Sequence, residues 1–199
     1  MKINFSHALA EHQRAIDSVM AQADKIEKVL NRVVQSVESG GKVLWLGNGG
    51  SAADAQHMAA ELMVRYVRNR RPIASLALTT DTSILTAHSN DYTFDTVFAR
   101  QVEGLAKPED VLIALSTSGK SANVIKAVEA AKAIGCYCVA MTGGAAGPLT
   151  DLADVCFQVD TLETARAQEA HSVISHLLCE GLDSVYAEET DDVERHRQS

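Results

Sequence analysis

Residues Lys42-Val-Leu-Trp-Leu-Gly-Asn-Gly-Gly-Ser51, running on into Ala52-Ala-Asp-Ala-Gln-His-Met-Ala-Ala-Glu61, decide the fold. The apolar run from Val43 to Leu46 is too short for a helix of its own and reads as a buried strand. Gly47, Gly49 and Gly50 let the backbone turn sharply and come close to a ligand, and the residues after them read as a helix. An anion near Asn48, Gly49, Gly50 and Ser51 would meet the free amides of that helix start, where the peptide dipoles also favour negative charge. The spacing Gly47-x-Gly49-x-x-Ala52 satisfies the loose dinucleotide fingerprint, yet the acidic residue expected about 20 positions on is not in place, Asp81 coming late. One turn further along, His57 and Glu61 lie four residues apart. They share a helix face, a geometry suited to a metal or to acid/base chemistry.

The strand, turn and helix pattern then recurs. A strand is expected near Ala74 to Thr79, helices near Thr82 to Ser89 and Asp95 to Leu105, and a strand from Val111 to Leu115. Ser116-Thr-Ser-Gly-Lys-Ser121 punctuates before a helix over Ala122 to Ile134. A strand from Cys136 to Met141, a short helix near Leu149 to Ala153, a strand from Val155 to Val159 and a helix from about Leu162 to Glu188 complete the order. Strands alternating with helices predict a three-layer α/β fold with a parallel sheet covered on both faces. Ligands of such sheets bind beyond the C-terminal strand ends, where both the glycine turn and the serine turn fall. Ahead of this core, Ser6 to Ser39 reads as a helical arm, one long helix or a pair, stopped by Gly40-Gly41; its apolar stripe predicts packing, including on another subunit.

With 199 residues the chain can bury one sizeable core, and no linker or charge block divides it. A single domain is expected, with the arm over about 1–39, the core over about 40–188 and a polar tail over 189–199. The apolar fraction is 46% and the charged fraction 22%, as in an ordinary globule. A net charge of −8 argues against a nucleic-acid or anionic-membrane surface while leaving room for a local phosphate pocket. No stretch is long and apolar enough for a membrane span, and the N-terminus lacks a signal-peptide run, which predicts a cytoplasmic protein. Cys136, Cys138, Cys156 and Cys179 form no Cys-x-x-Cys pair and read as buried free thiols.

The serine turn gathers the hydroxyls of Ser116, Thr117, Ser118 and Ser121 before a helix start. Capping that helix needs one hydroxyl; four suit a phosphate monoester. Gly119-Lys120-Ser121 has the end of a nucleotide P-loop, but Ala114 stands where its first glycine belongs. On the last helix, Gln168 and His176 are eight residues apart, about 80° around the axis, with His171 between them. Two helices would bring His57, Glu61, Gln168 and His176 together around a Zn²⁺ or similar ion.

Taken in order, Gly47-Asn-Gly-Gly-Ser51, His57-x-x-x-Glu61, Asn90-Asp91, Ser116-Thr-Ser-Gly-x-Ser121 and Gln168-Glu169-x-His171-x-x-x-x-His176 resemble the sedoheptulose-7-phosphate isomerase branch of the sugar-isomerase (SIS) domain family, over about residues 40 to 185. The resemblance implies a flavodoxin-like sheet and a homotetramer with active sites between subunits. It also implies one Zn²⁺ per subunit and conversion of D-sedoheptulose 7-phosphate to D-glycero-D-manno-heptose 7-phosphate in bacterial heptose synthesis. It further places Asn48, Gly49, Gly50, Ser51, Asn90, Asp91, Ser116, Thr117, Ser118, Ser121 and Gln168 around the sugar phosphate, with Arg65 adding positive charge. Glu61 becomes the implied base and His176 the implied acid of an enediol mechanism. Two positions depart from the family pattern. Lys120 stands for an Asn, adding a phosphate contact or facing solvent, and Ala165 stands for an Asp of some members, a contact either dispensable or replaced by Glu163. The alternatives are an isomerase of another sugar phosphate and a non-catalytic adaptor that binds a partner protein such as a replication initiator; the family's adaptor paralogue lacks the isomerase residues, whereas Glu61 and His176 are present here.

Overall fold

The opening stretch forms strand β1 (Val43–Gly47), second in a five-stranded parallel sheet. The computed structural model describes residues 4–145 and 147–187, so the expected polar tail over 189–199 lies outside the described residues. With β2 (Ser75–Ala77), β3 (Val111–Leu115), β4 (Tyr137–Thr142) and β5 (Val155–Gln158), the order is β2-β1-β3-β4-β5. That is the flavodoxin-like order. β1 pairs β2 on one side, Val43 opposite Ser75, and β3 on the other, Gly47 opposite Leu115.

Strand side chains alternate between two cores because successive residues point to opposite faces. Val43, Trp45, Ile113, Leu115, Val139, Met141 and Phe157 lie in one core. Leu44, Leu46, Leu112, Ala114, Cys138 and Ala140 lie in the other. Burial on both faces explains why these strands read as unbroken apolar runs rather than as alternating ones. The first face is covered by α1 (Phe5–Met20), α2 (Ala23–Glu38), α3 (Gly50–Met63) and α8 (Thr164–Tyr186). The second is covered by α5 (Val97–Leu105), α6 (Ala122–Ile134) and α7 (Pro148–Leu152).

The arm bends into its two helices at Ala21 and Gln22, and α1 docks along α8. Arg166 donates to the Ala8 carbonyl at 3.0 Å, and His12 Nδ1 meets a Glu169 carboxylate oxygen at 2.7 Å. Phe5, Leu9 and Met20 remain exposed on the outer side of α1. α4 (Thr82–Asp91), capped by the Asp81 carboxylate, buries none of its residues. The four cysteines are buried and free, and burial pushes the thiols of Cys138 and Cys179 up to about 12, which keeps them protonated and unreactive.

The strand order fixes where a ligand can sit. Chain connections leave β1 toward β2 in one direction and reach β3 in the other, so a crevice opens beyond the ends of β1 and β3. Gly47 and Leu115, the paired last residues of these strands, lead directly into the glycine turn and the serine turn.

Candidate active site

The crevice is a cavity of about 310 Å³ lined by Asn48, Gly49, Gly50, Ser51, Leu115, Ser116, Thr117, Ser121, Thr164 and Gln168. Gly49 holds φ at +58°, in the left-handed region that glycine occupies without strain, and it caps α3 with no side chain over the helix start. At Gly50 a Cβ would fall 2.5 Å from the Gln168 amide nitrogen, so the absence of a side chain lets α8 bring that amide onto the turn. Across the crevice, Ser116 Oγ lies 3.0 Å from Ser121 Oγ and 3.5 Å from Ser118 Oγ. Ser121 is the N-cap residue of α6, yet its hydroxyl caps no amide. The serine hydroxyls therefore keep donor capacity for a ligand. Every side chain lining this cavity is neutral, a composition suited to holding an anion through directional hydrogen bonds.

From the crevice, α3 and α8 run side by side in the same direction, as helices following parallel strands do. Gly50 faces Gln168, Asp54 accepts from the Ser172 hydroxyl at 3.3 Å, and the His57 and His176 rings meet edge-on at 5.2 Å. His57 Nε2 lies 3.0 Å from Glu61 Oε1, one turn on, as their spacing predicts. The His176 ring also stacks on the Tyr66 ring, centroids 5.5 Å apart. Of the four residues expected to meet, His57, Glu61 and His176 thus come together pairwise through His57. Gln168 stands apart from them, eight residues before His176 and so about 12 Å back along α8, beside the glycine turn.

Other expected site residues fall outside the cavity wall. Asn90 and Asp91 end α4, exposed and hydrogen-bonded to each other at 2.9 Å. Arg65 is exposed beyond the end of α3 and donates to the Val67 carbonyl at 2.9 Å. Ser118 and Lys120 line an adjoining cavity of about 220 Å³ with Thr117, Thr161 and Thr164. Glu163, at the start of α8, meets His7 of α1 at 3.0 Å. His171 is fully buried, and neither ring nitrogen has a hydrogen-bond partner. Burial lowers its pKa to about 4, a shift that the neighbouring Thr142 backbone partly offsets.

Sequence reasoning passed over Asp54, Ser172, Tyr66, Asn123 and Thr164. Asp54 carries the strongest signal of these. Its Oδ2 is buried without a partner, and burial holds its carboxyl above the usual range against the opposing pull of Ser172, His57 and His176. A carboxylate three residues before His57 lies on the same helix face, and that spacing alone would have found it.

The donor types of His57, Glu61 and His176 are those that zinc takes. They meet pairwise, while among the described residues no group of three or more His, Cys, Asp or Glu converges tightly enough to form a finished cage. These residues fit a zinc by donor chemistry, with His57 in reach of both Glu61 and His176, while no three of them converge on one point.

Fold and crevice together define a flavodoxin-like α/β protein with a hydroxyl-lined crevice at the ends of β1 and β3 and histidine and carboxylate side chains further along α3 and α8. The sequence model of the SIS domain matches residues 7–143, and the chain belongs to the SIS domain family. It is 50% identical over 182 residues to the phosphoheptose isomerase of Thiobacillus denitrificans, covering 90% of this chain and 92% of that one. It is 50% identical over 157 residues to the phosphoheptose isomerase of Rhodospirillum rubrum, covering 79% and 84%. The structure of the phosphoheptose isomerase from Neisseria gonorrhoeae superposes with a TM-score of 0.83 at 41% identity, over 90% of this chain and 96% of that one.

Proposed function

We propose that the protein is an aldose-ketose isomerase that converts D-sedoheptulose 7-phosphate to D-glycero-D-manno-heptose 7-phosphate, an early step of bacterial heptose biosynthesis. The observation that carries this reading is the cluster of Glu61, His57 and His176 on the same two helices that wall a hydroxyl-lined crevice, in a chain half-identical to phosphoheptose isomerases along nearly its full length.

The hydroxyls of Ser116, Thr117 and Ser121 and the amides of the glycine turn receive the phosphate, and Gln168 and Ser51 hold the sugar chain beside it. Glu61 lies eleven residues, about 16 Å along α3, from Gly50, so the carbonyl end reaches a Glu61 and His176 pair across a subunit interface of the proposed tetramer. Glu61 takes the proton from C1 while His176 gives a proton to the C2 oxygen, forming a cis-enediol. Glu61 then returns its proton to C2 and His176 recovers one from the C1 oxygen, so the aldose forms and both groups end as they began. Asn90, Asp91 and Arg65 belong to this reading as further sugar-phosphate contacts.

One Zn²⁺ per subunit, held by His57, Glu61, Gln168 and His176, is part of the proposal; when bound, it would polarise the two sugar oxygens. Gln168 joins that set by leaving Gly50 or by coming from a second subunit, and a homotetramer with active sites at its interfaces provides the second route. The exposed apolar residues Phe5 and Leu9 of α1, Ile84 of α4, and Tyr92 and Phe94 just after α4 support such an assembly. A cytoplasmic location is supported by four free, buried thiols. The test is to incubate the purified protein, loaded with Zn²⁺, with sedoheptulose 7-phosphate and follow the aldose by NMR. Turnover that Glu61→Gln abolishes supports the reading; no turnover by the wild-type chain sinks it.

A further inference from the structure

The residues of the proposed proton transfer stand on two helices, and one buried ion pair joins those helices without lining the crevice. The side chains of Arg70 and Asp183 are 0% and 3% exposed, and Arg70 Nε donates to Asp183 Oδ1 at 2.8 Å. Asp183 lies on α8 seven residues beyond His176, two turns or about 10.5 Å along the axis. Its second oxygen accepts from the backbone amides of Val67 and Arg68, both at 2.8 Å. The rest of the guanidinium turns to the end of α3. Nη2 donates to the carbonyl of Glu61 itself at 2.7 Å, and Nη1 to that of Leu62 at 2.9 Å.

Those two carbonyls belong to the last turn of α3, where the helix has no further amides to offer. A cation there also suits the negative end of the helix dipole. The connection tied down between the two helices carries Tyr66, whose ring stacks on His176. One ion pair therefore fixes the backbone of Glu61, the helix of His176 and the ring that backs His176. A buried ion pair is weak evidence for stability in its own right, because desolvating both charges offsets most of their attraction. Its bonds to the Glu61 carbonyl and to the amides of Val67 and Arg68 give it a different task.

We propose that Arg70 and Asp183 form a positioning clamp that sets the spacing of Glu61 and His176 for proton transfer. Arg70 is suited to this because its planar fork makes the Asp183 bond and both carbonyl bonds at once, which a single ammonium cannot do. The proposal rests on the reading of Glu61 and His176 as the proton-transfer pair, so wild type and Glu61→Gln are assayed beside the clamp variants.

The experiment compares Arg70→Lys, Asp183→Asn and Arg70→Ala, with Arg71→Lys as a neighbouring control whose side chain pairs with Glu38 on the surface. Steady-state kinetics, melting temperature and the imidazole NMR signals of His57 and His176 are measured on the same folded samples. The expected result for Arg70→Lys and Asp183→Asn is a kcat lower by about tenfold or more, the scale of a small misplacement. KM should stay within about threefold, since uniform binding is untouched. The His57 and His176 signals should move while those of His7 and His12 stay put. Millimolar guanidinium, and not urea, should restore part of the kcat of Arg70→Ala; if that variant does not fold, the other two carry the test. Wild-type kcat in folded Arg70→Lys and Asp183→Asn overturns the clamp, as does a loss confined to KM. Should the wild-type chain show no turnover at all, the functional reading falls, and unmoved His57 and His176 signals in the variants would then overturn the clamp separately.

Discussion

Asn48 and Asn123 exchange both of their side-chain amide bonds, each donating Nδ2 to the other's Oδ1 at 2.8 Å. Asn48 ends the glycine turn's approach and Asn123 is buried in the first turn of α6, so this pair ties one wall of the crevice to the other. It uses one N–H and one lone pair of the Asn48 amide and holds that amide's remaining donor and acceptor beside the crevice.

Replacing Asn123 with Asp keeps the acceptor and removes the donor, setting a carboxylate oxygen against the Asn48 carbonyl oxygen. The expected outcome is a KM for sugar phosphate raised by roughly tenfold, the scale of one lost hydrogen bond, with a smaller change in kcat. Steady-state kinetics on the folded variant check it; an unchanged KM would show that the crevice width is set elsewhere.

Gly50→Ala places a methyl 2.5 Å from the Gln168 amide. Because Gly50 lies within α3 and lacks a positive φ, alanine is acceptable to the backbone there, and the consequence is confined to displacing Gln168. Melting temperature should change little while activity falls by an order of magnitude or more, as for other small misplacements at a reacting centre. Pairing it with Gln168→Ala gives a double-mutant cycle in which the two losses should not add.

His171 makes stability depend on pH in a definite direction. The folded chain holds this ring neutral down to about 4, whereas the unfolded chain takes up its proton near the ordinary value of 6.5. Between those values the unfolded state binds more protons, so its stabilising contribution is complete above pH 6.5 and is lost as pH falls toward 4. The full effect is on the order of 3 kcal/mol. Urea unfolding from pH 7 to pH 4.5 should show a steeper loss for the wild type than for His171→Phe; equal slopes would remove His171 as the cause.

Asp54→Asn removes a half-buried carboxylate that faces His57 and His176, while its Ser172 contact can be kept. The chain should fold with equal or greater stability, since a buried oxygen without a partner is costly to ionise. Turnover should fall, because the anionic side chain that sits among Ser172, His57 and His176 beside the proposed proton-transfer pair is gone. Chemical denaturation and kinetics on one preparation separate the two effects.

The sheet was legible because strands buried on both faces show as apolar runs ended by glycine and serine turns, and those turns mark the crevice. The helix pair His57 and Glu61 was legible from spacing alone. What spacing cannot supply is distance between elements. Asn123 meets a partner 75 residues away, and Arg70 one 113 residues away. The eight residues from Gln168 to His176 fit one helix face yet divide between the crevice and the cluster. Asn90 and Asp91 came from family resemblance, and the described crevice is formed without them.

Among the described residues the crevice wall carries no cation, and Arg65, the one that the proposed function adds, stands exposed beyond the end of α3, which has a consequence for the whole catalytic cycle. Substrate and product bear the same doubly charged phosphate, so a lysine or arginine trap would hold the aldose as firmly as the ketose it came from. Neutral donors, effective over bond lengths and indifferent to the ionic atmosphere, discriminate by shape and release by motion. On a chain of net charge −8, the protein's own field opposes capture and favours departure of the anion alike, so the hydrogen bonds of the crevice must supply the hold.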